Sequence, residues 1–237
     1  MSETTVTIMS GGLRLAGTLR VPEGVARGER RAAFMVLHGF GSSRSSSNVL
    51  APSRMLNELG YATLAFDMRG CGESEGEHGR VICLEQVEDT RNALTFLASQ
   101  TAVDPARTGK SLMVPRYDIV PIPPHLRSNL VSNSIQEFPA ETAQSMFDFR
   151  ADDVVGRIAP RPLLLLHAAN DSVTPTEQSI ELFKRAGQPC ELHLISDADH
   201  FMFAEKNARV WDLLRAWLME YFPAVAAATK AAAGMGH

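Results

Sequence analysis

The sequence predicts an α/β fold in which a mostly parallel sheet is flanked by helices. Two continuous apolar runs, AAFMVLHG at 32–39 and PLLLLHA at 162–168, are typical of strands buried on both faces of a parallel sheet. Apolar residues recur at helical spacing in 83–99 and in 206–222. Strands that alternate with amphipathic helices along a chain indicate a parallel sheet with helices on both faces.

The other elements follow the same alternation. Residues 4–21 are predicted to form a hairpin, because apolar and polar residues alternate on both sides of the turn at 10–12. Two further helices are predicted at 49–59 and 176–186, and two further strands at 61–67 and 191–196. After the hairpin, each of these strands is followed by a helix, which suits the crossover connections of a parallel sheet.

The chain is expected to form one domain over residues 1–225, since its 237 residues suffice for a single substantial core. Residues 111–150 are an irregular, cap-like segment within that domain. Five prolines and scattered aromatic residues in 111–149 are poorly suited to core strands. Residues 226–237 are a low-complexity tail.

Composition excludes several classes of function. The net charge of −4 gives no reason to expect a nucleic-acid partner or an anionic membrane surface. The three cysteines form no C-x-x-C motif, which argues against a disulfide framework or a zinc site and favours a reducing compartment. There is no signal-peptide pattern, and no apolar run approaches the ~18 residues that a membrane span needs. We therefore expect a cytoplasmic protein.

Four short motifs occur in a fixed order after predicted strands: HGFG at 38–41, DMRGCGES at 67–74, HAANDSVTP at 167–175 and DADHF at 197–201. In this order they resemble the α/β-hydrolase superfamily, and within it esterases of the feruloyl-esterase and dienelactone-hydrolase kind. The resemblance implies an α/β-hydrolase fold and acyl-enzyme chemistry on carboxylic esters, with a small-molecule substrate and no metal or organic cofactor. The oligomeric state is left open.

The resemblance implies that Asp171 and His200 are catalytic. A carboxylate at the end of a strand can accept the Nδ1–H of a histidine and stabilise the imidazolium, and a histidine near its free pKa can take and return a proton. The chain order of acid before histidine is that of hydrolase triads. The alternative for Asp171 is an N-cap of the helix at 176–186.

The HGFG loop resembles the oxyanion loop of the family, in which the residue after His-Gly donates a backbone N–H. That residue is Phe40 here, and one such donor contributes ~3 kcal/mol to the transition state. The alternative is a loop aromatic that covers the pocket, and both roles are compatible. We expect Asp67 and Arg69 to tie the next loop together, without a catalytic role.

The nucleophilic serine cannot be assigned. It belongs on a strand–turn–helix elbow, G-x-S-x-G, between Arg107 and Asp171. Ser74 lies in a literal G-x-S-x-G, but in a flexible loop after the strand, where the D-x-R-G-x-G-x-S motif already accounts for it. Ser111 has the right place in the order, but too few residues follow Arg107 for a buried strand, and no glycine follows the serine.

The remaining interpretation is that a block has been lost after Asp-Pro-Ala-Arg at 104–107. The block would contain the fifth strand, the elbow, its helix and the sixth strand, so the fold is expected to lack two central strands and to expose strand edges. The segment that follows either covers a pocket or is a plain surface connection. Five residues of that segment are candidates to line an acyl or aromatic pocket: Met113, Tyr117, Phe138, Met146 and Phe147.

The sequence is compatible with three functions. The first is a serine-type carboxylic-ester hydrolase, impaired by the lost segment. The second is a non-catalytic α/β-hydrolase-fold protein that binds a ligand or partner. The third is a thioesterase, peptidase or acyltransferase on the same scaffold, because the fold alone does not decide the reaction.

Overall fold

The computed structural model describes residues 2–26, 28–112, 123–135, 138–203 and 207–224. The strands in these ranges are β1 Ser2–Ser10, β2 Leu13–Val21, β3 Arg31–Val36, β4 Ala62–Phe66, β5 Val103–Leu112, β6 Leu163–Ala168 and β7 Cys190–Ile195. The α-helices there are α1 Ser47–Glu58, α2 Cys83–Ala98, α3 Ala140–Asp148, α4 Glu177–Arg185 and α5 Ala208–Tyr221. Short 3₁₀ helices occur at Pro124–Asn129, Ala151–Asp153 and Val155–Ile158.

The described strands form two sheets. The larger has the order β1-β2-β4-β3-β5. In it, β2 pairs antiparallel with β1 and β4, and β3 pairs parallel with β4 and β5. The smaller sheet consists of β6 and β7, which pair in parallel.

Successive residues of β3 face two different cores. Phe34 belongs to a cluster that includes Leu214 of α5 and Ile195 of β7. Met35 belongs to a second cluster that includes Leu97 of α2. Because neighbouring side chains of a strand point to opposite faces, α5 and α2 cover opposite faces of the larger sheet. The predicted α/β fold, with a sheet flanked by helices, is confirmed.

The strand β5 corrects one expectation drawn from the sequence. Residues 103–112 pair in parallel with β3, with Leu112 opposite Val36, so one of the two central strands expected to be lacking is present. The pairing is irregular, with shifts of register along β3. A polar segment that contains a proline can still pair here, because the edge of β3 offers backbone N–H and C=O groups whatever the side chains of its partner.

The cap-like segment at 111–150 is more regular than its prolines predict. It contains the 3₁₀ helix at 124–129 and helix α3, which begins directly after Pro139. Proline is tolerated at the start of a helix, so the number of prolines was a poor guide there. Two of the candidate lining residues, Met113 and Tyr117, lie outside the described residues, as does the tail at 226–237.

The strand β6 is less buried than its apolar sequence predicts. Its first four residues, Leu163–Leu166, are only partly buried, whereas all five residues of β4 are buried. β4 has a neighbouring strand on each side, while β6 pairs with β7 alone in the described ranges. An apolar strand shows this exposure when one flanking strand is not there. A second central strand missing between β5 and β6 therefore stays a prediction.

Candidate active site

Asp171 and His200 lie at the carboxyl ends of the two strands of the smaller sheet. Asp171 follows β6 and His200 follows β7, and because these strands are parallel, both loops leave the same edge. His200 Nδ1 lies 3.0 Å from Asp171 Oδ2 and 3.2 Å from Oδ1. The two side chains are 7% and 5% exposed. The structure thus brings them together as a buried, hydrogen-bonded pair.

The Asp171 carboxylate is also held by its own turn. The backbone N–H groups of Val173 and Thr174 both donate to Oδ1 at 2.8 Å. Burial alone would raise the pKa of Asp171, but the hydrogen bonds from His200 and from these two N–H groups outweigh it, and the pKa lies below its ordinary value. An ionised carboxylate at this position can orient His200 and stabilise its imidazolium.

The structure does not support the alternative role of Asp171 as a helix cap. Helix α4 begins at Glu177 and its N-cap residue is Thr176. The carboxylate of Asp171 instead closes the turn that precedes the helix. With Nδ1 of His200 facing that carboxylate, Nε2 is the nitrogen suited to take a proton from a nucleophile.

The HGFG loop leaves the carboxyl end of β3. His38 braces it, because Met68 N–H donates to His38 Nε2 at 3.0 Å, which leaves Nδ1–H to donate to the Gly39 carbonyl at 2.7 Å. The Phe40 ring packs on Phe138 with ring centroids 4.4 Å apart. Phe40 is therefore part of an aromatic cover over the loop, and the role of its N–H as an oxyanion donor stays a prediction.

The loop at 67–74 is braced by its own side chains. The Asp67 carboxylate accepts the Arg44 N–H at 2.6 Å and forms an ion pair with the Arg44 guanidinium. Ser74 Oγ donates to the Asp67 carbonyl at 2.5 Å and accepts the Ala16 N–H at 2.9 Å. The hydroxyl of Ser74 is engaged in these contacts, so the structure gives it a bracing position instead of an elbow.

Arg69 anchors the same loop to α2. Its guanidinium lies 2.6 Å from the buried carboxylate of Asp89, which also accepts the Arg69 N–H at 3.0 Å and the Ser10 hydroxyl at 2.6 Å. The hydrogen bond to Asp89 raises the pKa of Arg69, although partial burial opposes it. These contacts fit the predicted structural role.

Ser111 lies within β5, one residue before its last residue, Leu112. A nucleophile elbow needs a serine between the end of a strand and the start of a helix. In the described residues between β5 and β6, no serine follows a strand directly and opens a helix. The nucleophile therefore remains unassigned.

The cap-like segment contacts the HGFG loop. Ile135 N–H donates to the Gly41 carbonyl at 2.8 Å, and the Phe138 ring lies against Gly41. Phe147, another candidate lining residue, is 77% exposed and does not line a pocket in the structure. It lies on α3, which is held to the start of α2 by the bond from Cys83 N–H to Ser145 Oγ at 2.9 Å. Met146 on the same helix is partly buried.

The sequence pattern did not indicate two residues beside the pair. The Asp199 carboxylate accepts the backbone N–H groups of His200 at 2.7 Å and Ser172 at 2.8 Å. His167 Nε2 lies 3.5 Å from Asp171 Oδ2. Two sequence signals could have indicated them: the Asp-His dipeptide for Asp199, and a histidine near the end of β6, four residues before Asp171, for His167.

The described residues offer no other conspicuous reactive group. Nowhere in them do three or more His, Cys, Asp or Glu residues gather as a metal site would require. All three cysteines are unpaired, and burial raises the pKa of Cys71 to about 12, which keeps its thiol protonated. Within the same ranges, no helix has both the length and the apolar character needed to cross a membrane.

Comparison with known proteins agrees with this architecture. The family model Hydrolase_4, described as serine aminopeptidase, S33, matches residues 28–110. The α/β hydrolase GrgF from Penicillium sp. sh18 has a TM-score of 0.76 at 16% identity, covering 93% of this chain and 99% of that one. Est1E from Butyrivibrio proteoclasticus, solved with ferulic acid bound, has a TM-score of 0.72 at 17% identity, covering 91% and 98%.

A curated relative matches a shorter stretch. An uncharacterized 31.7 kDa protein from the traX-finO intergenic region of Escherichia coli is 38% identical over 103 residues, which are 43% of this chain. The match spans about a third of the length of that relative, 33%. The solved structures thus show that the fold of this chain is that of α/β hydrolases, and the family model matches its residues 28–110.

Proposed function

We propose that this chain is a serine-type carboxylic-ester hydrolase by descent, built for acyl-enzyme chemistry on a small ester-like molecule and impaired by loss of its nucleophile segment. The observation that carries the proposal is the buried Asp171–His200 pair at the edge of the smaller sheet. A cytoplasmic location and the lack of a cofactor requirement belong to the same proposal. The likeness in fold to Est1E, which was solved with ferulic acid bound, supports this choice of reaction class.

In the intact mechanism His200 acts first as base and then as acid. Nε2 takes the proton of the attacking serine and returns it to the leaving alcohol, while Asp171 holds Nδ1–H and stabilises the imidazolium. The Phe40 N–H donates to the oxyanion of the tetrahedral intermediate. Water then repeats the same steps on the acyl-enzyme.

Three observations support the loss of the nucleophile segment. The family-model match ends at residue 110, one residue before Ser111. Ser111 lies inside β5 rather than after it. The apolar residues of β6 are partly exposed on a strand whose described pairing is with β7 alone. A missing elbow, helix and strand between β5 and β6 would account for all three.

The proposal is tested with a serine-directed fluorophosphonate probe on the purified chain. We expect no stoichiometric labelling and little or no serine-dependent hydrolysis of activated esters, because removing the nucleophile of a triad abolishes most of the rate enhancement. The intact mass and the encoding DNA are determined in parallel, so that loss of the block is checked directly.

The matched controls are two histidine variants. His200→Ala removes the proposed base, and His193→Ala removes a histidine on β7 that contacts Glu191 at 3.2 Å. Full labelling at Ser111 or Ser74 that persists in His193→Ala and disappears in His200→Ala would contradict the loss of the nucleophile. That serine would then be the nucleophile of a rebuilt site.

A second candidate is a non-catalytic binding protein on the same fold. The observation that favours it is that the described residues present no elbow serine. A thioesterase, peptidase or acyltransferase is a third candidate, and matched ester, thioester and amide substrates with one acyl group separate these reactions. Turnover of none of them, together with saturable binding of the ester, would favour the binding protein.

A further inference from the structure

One carboxylate joins the two loops that carry the catalytic pair. Asp199 Oδ1 accepts the backbone N–H of His200 at 2.7 Å and that of Ser172, the residue after Asp171, at 2.8 Å. The Ser172 hydroxyl donates to the same carboxylate, at 2.9 Å from each of its oxygens. Asp199 lies in the loop that carries His200, and its carboxylate bonds to the backbone of His200. It also bonds to Ser172 in the other loop, one residue after Asp171.

Other contacts between these two loops lie at their base and in an apolar cluster. The Ala169 N–H donates to the Ile195 carbonyl at 2.8 Å, which fixes the ends of β6 and β7. Nearer the tips of the loops, the polar contacts in the described residues are the Asp171–His200 bond and the Asp199 bonds, and Val173 and Phe201 share an apolar cluster. Burial would raise the pKa of Asp199, but its hydrogen bonds lower it to about 2, so the carboxylate is ionised and acts only as an acceptor.

The same carboxylate also contacts the cap-like segment at 111–150. His125, in the 3₁₀ helix at 124–129, places Nε2 3.1 Å from Asp199 Oδ2. Its imidazole is 64% exposed, so this single contact is weak. The next residue, Leu126, is buried against Val173 and Phe201, which follow Ser172 and His200 in the chain. The 3₁₀ helix at 124–129 thus makes polar and apolar contacts with the loops that carry Asp171 and His200.

We propose that Asp199 is a positioning residue, which holds the acid loop and the histidine loop at the spacing that the Asp171–His200 hydrogen bond needs. We call the hydrogen bonds of Asp199 to Ser172 and His200 the clamp, and the contacts of His125 and Leu126 connect it to the cap-like segment. The catalytic meaning of the clamp rests on the proposed function, but the clamp itself is a property of the folded chain and can be measured without turnover.

The test is the His200 Nδ1–H proton resonance in the nuclear magnetic resonance spectrum, assigned by its absence in His200→Ala. In the natural chain we expect a downfield Nδ1–H that exchanges slowly with water. In Asp199→Ala we expect exchange faster by about tenfold or more, because the loops lose charge-assisted hydrogen bonds that restrain their separation. Ser172→Ala keeps its N–H bond to Asp199 and should show a smaller effect in the same direction.

Two controls separate positioning from general destabilisation. Ser10→Ala removes the buried hydrogen bond from Ser10 of β1 to Asp89 of α2, and should lower the thermal midpoint without changing the His200 resonance. Asp197→Asn alters an exposed carboxylate of the same turn and should change neither. If Asp199→Ala fails to fold, Asp199→Asn replaces it and should speed exchange less than tenfold, because the amide oxygen still accepts the two N–H groups.

The outcomes are distinct for the two proposals. A natural chain without a slowly exchanging Nδ1–H would overturn the Asp171–His200 pair, and with it both the proposed function and the clamp. A natural chain with this resonance, unchanged in Asp199→Ala and Asp199→Asn, would overturn the clamp alone. An equal increase in the exchange rate in Ser10→Ala would also overturn the clamp, because faster exchange would then follow from lower overall stability.

Discussion

β4 and β6 are both short apolar strands, yet their surroundings differ. β4 lies between β2 and β3, and every one of its residues is buried. β6 has an equally apolar sequence but pairs with β7 alone in the described ranges, and its four leucines are partly exposed. The comparison shows that the burial of a strand is set by its neighbours and is not guaranteed by its own hydrophobicity.

The largest effect on the free energy of unfolding is expected from truncating one leucine in β4, for comparison with one in β6. Leu64→Ala in β4 should lower the free energy of unfolding by about 3 kcal/mol, because a fully buried leucine leaves a cavity. Leu164→Ala in β6 should cost about 1 kcal/mol, since part of that side chain is already in contact with solvent. Urea denaturation of the two variants measures both values. Equal losses would show that β6 is covered in solution.

A smaller effect on the free energy of unfolding is expected from the ionisation of Asp199 at the edge of the smaller sheet. The Ser172 N–H and other hydrogen bonds outweigh burial and lower the pKa of Asp199 to about 2, below the unfolded value of ~3.9. Its stabilisation is therefore fully present above about pH 4 and is lost as the pH falls through about 2. We expect Asp199→Asn to cost about 1–2 kcal/mol near neutrality, after discounting for solvent screening, and less in acid.

Urea titrations of the natural chain and Asp199→Asn at several pH values measure this difference. It should narrow steadily between about pH 4 and about pH 2. A difference that stays constant over that interval would mean that the charge of Asp199 does not stabilise the smaller sheet.

The smallest effect is expected at Phe147 on α3. Its side chain is 77% exposed, so Phe147→Ser should change the free energy of unfolding by no more than about 0.5 kcal/mol. Comparison with Leu164→Ala tests whether the exposed fraction of a side chain predicts how much its truncation lowers the free energy of unfolding. A loss above about 1 kcal/mol at Phe147 would mean that another element or molecule covers it.

The Asp171–His200 pair was predicted because two short motifs, HAANDSVTP and DADHF, resemble those of α/β hydrolases. Each residue follows a recognisable apolar strand, and parallel strands bring their carboxyl ends to one edge. The two-faced core of β3 was also predictable, since a continuous apolar run suits a strand buried on both sides.

The contributions of β5, α3 and Asp199 were not predictable in this way. β5 pairs through its backbone, so its polar sequence carries no apolar pattern to detect. α3 is fixed by side-chain hydroxyls that accept bonds from residues 81 and 83, far away in the chain. Asp199 acts through bonds across two loops, which no spacing within one motif reveals.

The contact of Phe138 with Gly41 has a consequence for how related sequences can vary. Gly41 adopts φ +63°, and a Cβ atom added there would lie 2.8 Å from the Phe138 ring. Any other residue at position 41 therefore needs both a left-handed backbone and a smaller partner at 138. Among relatives that keep the cap-like segment, the two positions should change together, as a compensated pair, and a lone substitution at 41 should displace the segment from the HGFG loop.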